Sequence, residues 1–142
     1  IPEPIANAAF DSNNDALKID LAKNPYMSNS TVTNQITKRI FSDNLTDMAI
    51  CKNLLYTSAS DEDVRFVLNT AKSIELKMAA FACPGLKPET INEIINGGDY
   101  LLIGAALNSL NANYSNFFAL MNSKDENLKK LLKYYTNLLG QL

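Results

Sequence analysis

Histidine and tryptophan are absent from this 142-residue chain, and arginine occurs only at Arg39 and Arg65. Without histidine the chain lacks the usual general base and the commonest metal ligand. A di-iron site of the bundle type, which draws on Glu-x-x-His pairs, is excluded outright. Two arginines and a net charge of −2 argue against a nucleic-acid surface, which depends on clustered basic side chains. Glycine and proline number five each, too few for a linker or a low-complexity tract. No hydrophobic run suits a membrane span, because the longest uncharged stretch, 100–123, carries five asparagines whose amides are costly in hydrocarbon. No phosphate-cradling glycine loop is present, and no internal repeat is legible.

Two cysteines, Cys51 and Cys83, leave one disulfide open as a question. In a straight helical hairpin turning near Ser58, Cys83 lies about 25 Å beyond the level of Cys51, at 1.5 Å per residue. A disulfide needs α-carbons within about 7 Å, so the reading favours two separate buried thiols. With no histidine to activate it, neither serves as a nucleophile. The carboxylate pairs Asp43/Asp47 and Glu89/Glu93 fit solvated helix faces better than a cation site or acid–base pair. Three Asn-x-Ser/Thr triplets, at Asn29, Asn44 and Asn113, carry no weight among eighteen asparagines.

What is present is helical periodicity. Tyr100, Ile103, Leu107, Leu110, Tyr114, Phe117 and Met121 alternate by three and four, which places them on one stripe of a central helix. A second helix is expected from about Ser30 to Tyr56, with a kink or break at Ser42-Asp43-Asn44. A third starts after Ser60, with three acids in its first turn, and carries the stripe Val64, Val67, Ala71, Ile74, Met78, Phe81 to Pro84-Gly85. Pro88 opens a short middle helix and Gly97-Gly98 closes it. Ser123 with Glu126 forms a capping box for the last helix, whose apolar face is Leu128, Leu131, Leu132, Tyr135, Leu138, Leu139 and Leu142. Helices at 5–10 and 16–23 complete the chain.

The expected fold is therefore all-α: an antiparallel bundle of about four main helices plus shorter N-terminal and middle helices. One domain, 1–142, is expected, with residues 1–30 loosely attached. The start at Ile1 in IPEP suits an exported protein, secreted or periplasmic.

The functional expectation is a non-enzymatic protein-interaction module, an inhibitor or immunity-type protein, or a self-associating dimer. It rests on surplus apolar positions: Phe117 and Phe118, adjacent and about 100° apart on a helix, and Leu131 and Tyr134 on the last helix. The last helix is basic, since residues 124–142 carry four lysines and two acids, which suits a bundle helix kept soluble by its lysines. The alternative is a carrier holding a hydrophobic ligand between helices, with Tyr100, Leu107, Tyr114, Phe66 and Phe81 lining the cavity. No catalytic residue, metal ligand or cofactor is assigned.

Overall fold

A computed structural model describes residues 1–140, with side chains described through Tyr134. The chain is all-helical, and no strand occurs among the described residues. The helices are α1 (Glu3–Phe10), α2 (Asp15–Leu21), α3 (Asn29–Arg39), α4 (Leu45–Thr57), α5 (Asp61–Thr70), α6 (Ile74–Ala80), α7 (Pro88–Asn96), α8 (Tyr100–Leu107), α9 (Tyr114–Met121) and α10 (Glu126–Gly140).

Three of the long helices expected from the apolar stripes are each two shorter ones. Local capping explains every break, because a side chain that satisfies free amides lets a helix restart at little cost. At the anticipated fault, Asn44 accepts from the amides of Thr46 and Asp47 and starts α4. Ser73 accepts from Leu76 and starts α6 within the expected third helix. Asn113 accepts from Ser115 and forms a reciprocal capping box with Asn116, dividing the expected central helix into α8 and α9. The last helix begins at Glu126 rather than after Ser123. Its capping carboxylate is Asp125, which accepts from the amide of Asn127, while Ser123 Oγ accepts from Asp125. Pro88 stands at the start of α7 and Ser60 caps α5, as the sequence indicates.

The chain forms two compact units, Ile1–Leu86 and Lys87–Leu142. In the first, α4 is the hub, packing against α2, α3 and α6. Ile50, Cys51, Leu54 and Leu55 of α4 are buried, as are Phe10, Val32, Ile36 and Leu76 of this unit. Burying each of the larger side chains contributes about 1.5–3 kcal/mol. Residues 1–30, expected to be loosely attached, bury Ala6, Phe10, Ala22 and Met27. Three side chains at or beyond the middle of α4 also hold this segment: Asn53 donates to Ile19 O, Thr57 to Ala22 O and Ser58 to Asn24 O, at 3.0–3.1 Å. The Arg39 guanidinium joins three helices. It donates to Asp47 at 3.1 Å, to Phe10 O at 3.1 Å and to Gln35, and lies over the Phe10 ring.

In the second unit α7 packs against α8 and α9, and α9 against α10. Its buried residues are Thr90, Ile91 and Ile95 on α7, Ile103, Ala106 and Leu107 on α8, Asn116 and Leu120 on α9, and Leu128 on α10. Gly98, at φ 81°, makes the turn from α7 into α8 in the left-handed region that favours glycine. The side chains of Tyr135, Leu138 and Leu139 and the whole of Leu142, which the sequence placed on the last helix's apolar face, lie outside the described residues.

A recurrence emerges in the element order. Helices α2, α4, α6, α8 and α10 start at residues 15, 45, 74, 100 and 126, intervals of 30, 29, 26 and 26. Helices α3, α5, α7 and α9 start at 29, 61, 88 and 114, intervals of 32, 27 and 26. A helix pair of about 26–32 residues is thus the building unit, although the sequence shows no overt repeat.

Candidate interaction surface

An apolar solvent-facing surface of the second unit is built on α9. Its eight residues are held by two contacts. The Asn113–Asn116 capping box satisfies the first amides, and the Asn116 side-chain nitrogen, fully buried, donates to Asn92 Oδ1 at 2.7 Å and Pro88 O at 2.9 Å on α7. A buried amide with partners of its own fixes rotation about the helix axis, because any turn leaves a polar group unsatisfied. With Asn116 and Leu120 turned inward, Tyr114, Phe118 and Met121 must turn outward. They stand at 84%, 58% and 55% exposure, spaced four and three residues apart on one stripe. Leu110, in the loop before α9, is fully exposed. No charged residue occurs from Tyr100 through Ser123.

The residues singled out from the sequence separate accordingly. Phe118 faces solvent and its neighbour Phe117 is half-buried, as the 100° between adjacent helical residues requires. On α10, Tyr134 is exposed and Leu131 half-buried. Of the five side chains named for a ligand cavity, Leu107 and Phe81 are buried and Phe66 is half-buried, while Tyr100 and Tyr114 face solvent. Phe66 and Phe81 belong to the first unit, the other three to the second. Tyr114 and Phe118 therefore share a surface, and Met121, named for the core stripe, joins them there. The breaking of the central helix carries Met121 outward: α9 takes its own rotation from Asn116, not from α8.

Tyr100 has a different role. Its hydroxyl donates to Asp125 Oδ2 at 2.5 Å, tying the start of α8 to the start of α10. This bond, with the Asn127 amide behind it, holds the Asp125 carboxyl below its ordinary range.

Cys51 and Cys83 are buried thiols and form no disulfide. Burial pushes the Cys51 thiol up to about 12, and it pushes Cys83 in the same direction. Cys83 donates to Ala59 O at 3.2 Å. Among the described residues no three His, Cys, Asp or Glu side chains gather to hold a metal ion. Also among the described residues, no helix is long and apolar enough to cross a membrane. The chain matches no known family model, curated protein or solved structure.

Proposed function

We propose that this protein is a non-enzymatic protein-interaction module and that its docking surface is the outer face of α9. The reading is carried by one observation: Tyr114, Phe118 and Met121 form an exposed, uncharged stripe on a helix whose rotation is fixed from beneath. Aromatic residues and methionine are the side chains enriched at the centres of interfaces, where charge is depleted. Such a stripe has a cost in water that a partner's surface removes. In this reading, helices adjacent in the chain that pack together, α1 with α2, α3 with α4, α5 with α6, α7 with α8 and α9 with α10, run antiparallel.

The test compares wild type with Phe118→Glu as immobilised baits against extract from the native source. A protein retained by wild type is identified, purified and titrated calorimetrically against both forms. A partner that binds wild type and loses about tenfold or more in affinity for Phe118→Glu supports the reading. Equal binding to both forms, or no saturable binder of wild type, overturns it.

A further inference from the structure

The odd-numbered helices α1, α3, α5, α7 and α9 share a packing register that their sequences do not advertise. Counting each helix from its first residue, position 3 is a buried polar side chain in four of them: Thr31, Asp63, Thr90 and Asn116. Where the next helix in this series docks, it does so on positions 1 and 5 of the one before. Thr33, position 5 of α3, donates to Asp63 at 2.7 Å. Asn92 and the Pro88 carbonyl, positions 5 and 1 of α7, accept from Asn116. Glu3, position 1 of α1, accepts from Ser30, position 2 of α3, at 2.6 Å. Position 8 is buried beside these contacts in α1, α3 and α7, as Phe10, Ile36 and Ile95. The pairs that touch, α1 with α3, α3 with α5 and α7 with α9, lie parallel, since start meets start in each, and Phe10 O at the end of α1 meets Arg39 at the end of α3.

Two members break the pattern in complementary ways. Helix α9 leaves its positions 1, 5 and 8 open, and they are the exposed Tyr114, Phe118 and Met121. Helix α1 leaves its position 3 open. That residue is Ile5, 63% exposed and apolar where the others are polar, with Pro4 and Ala8 exposed beside it. One helix thus offers the receiving face of the series and the other the inserting face; both helices are eight residues long, α9 carries no charge, and the exposed Pro4, Ile5 and Ala8 of α1 are uncharged beside Glu3 in its first turn.

We infer that a second copy of this chain seats the Ile5 face of its α1 on the Tyr114–Phe118–Met121 face of α9, continuing the series from one molecule into the next. The inference deepens the interaction-module reading by naming the partner. An apolar position 3 suits this junction, because the α9 face offers Tyr114 and Phe118 where α3 and α7 offer Thr33 and Asn92. The contact is heterologous, head to tail, since α9 of one copy meets α1 of the other. A single helix pair buries less than the roughly 1,200 Å² of a stable complex, so association is weak and rises with concentration.

Sedimentation equilibrium over a concentration series tests this on wild type, Ile5→Glu and Phe118→Glu, each checked for unchanged helical circular dichroism. Wild type should gain average mass with concentration. Each variant alone should associate about tenfold or more weakly, because a charge is placed in an apolar contact. An equimolar mixture of the two should form a dimer and stop there, one intact face from each. Ala8→Glu and Met121→Glu replace any variant that misfolds. A wild type that stays monomeric overturns the inference, as does association that survives Ile5→Glu or a mixture that stays monomeric. Loss of a foreign partner by Phe118→Glu in a monomeric wild type would leave the interaction-module reading standing and remove only self-association.

Discussion

Asn116 on α9 donates to Asn92 on α7 across 2.7 Å, and Thr33 on α3 donates to Asp63 on α5 across the same distance. The two pairs occupy equivalent helix positions in two separate compact units. Each pairs the third residue of one helix with the fifth residue of another, so a polar contact sets register where apolar packing alone tolerates slippage.

Removing either anchor should therefore cost stability out of proportion to its size. Asn116→Ala deletes its two bonds to α7 and the capping-box bond from the Asn113 amide, and leaves the Pro88 carbonyl and Asn92 amide to find others. The expected loss is about 1–3 kcal/mol. Asp63→Ala loses the Thr33 bond together with the Ser60 capping box and should cost about 2 kcal/mol. Urea denaturation followed by circular dichroism measures both. A change under 0.5 kcal/mol, as an order-of-magnitude threshold for an inert surface site, would refute the anchoring role.

Arg39 should be the costliest single charge to remove. Its side chain is nine-tenths buried and bonds Asp47, Gln35 and the Phe10 carbonyl. Arg39→Met keeps the stem but strands these acceptors, and a loss of roughly 2–4 kcal/mol is expected in the same denaturation assay. Arg65→Met, whose partner Asp61 lies one turn away on α5, should cost less, because Arg65 is over a third exposed.

The glycines separate by the space around them. A Cβ on Gly85 meets the Ala59 carbonyl oxygen at 2.6 Å, a backbone atom that cannot step aside. Gly85→Ala should lose about 1–3 kcal/mol. Gly104 sits inside α8 with nothing within 4 Å of such a Cβ. Gly104→Ala should gain about 0.5–1 kcal/mol by helix propensity. Thermal melts of the two variants should move in opposite directions.

Alkali should weaken the fold through Cys51. The folded thiol ionises near pH 12 and an unfolded one near 9, so the folded state keeps a proton that the unfolded state releases between those values. Stability is full below about pH 9 and falls as pH rises toward 12. Cys51→Ala should be less stable at neutral pH from lost packing, yet its stability should fall less between pH 9 and 11. At neutral pH neither native cysteine should react with a thiol reagent, and both should react in denaturant. Rapid native labelling would contradict their burial.

At the acid end the readout is Asp125. Tyr100→Phe removes the hydroxyl that holds this carboxyl low, so its titration midpoint should rise toward the ordinary carboxylate range. The contribution of this contact is present above the unfolded carboxyl's midpoint and disappears as pH falls through the folded one. Carbon-detected titration of the Asp125 carboxyl measures the shift directly, and an unmoved midpoint would exclude Tyr100 as its cause.

The spacing of apolar residues and the position of Ser60, Pro88 and Gly97-Gly98 were enough to predict helices, because propensity, capping and periodicity act within a few residues of the chain. The breaks were written there too: Asn44 lies at the anticipated fault, and Ser73 and Asn113 are cap residues lying inside unbroken stripes. A stripe that keeps its three-four rhythm across a cap reads as one long helix, and only the capped restart in the structure shows it to be two. The repeat had a faint signal as well. An offset of 59 residues places Leu17 on Leu76, Lys18 on Lys77, Pro25 on Pro84 and Thr31 on Thr90, and both threonines are buried at the third position of their helices. Five identities, Ile36 on Ile95 being the fifth, spread over two helices and the loop between them are easily missed, since the common element is a burial pattern and not a motif.

What the sequence alone determined, then, is the all-helical class and the ends of several helices. Tertiary structure decided which face each short helix turns inward. For α9 that choice rests on Asn116 finding Asn92 and the Pro88 carbonyl, partners 24 and 28 residues away. Once the amide is fixed, Phe118 and Met121 are carried to the surface and Leu120 to the core, a rotation that helical periodicity permits but cannot select.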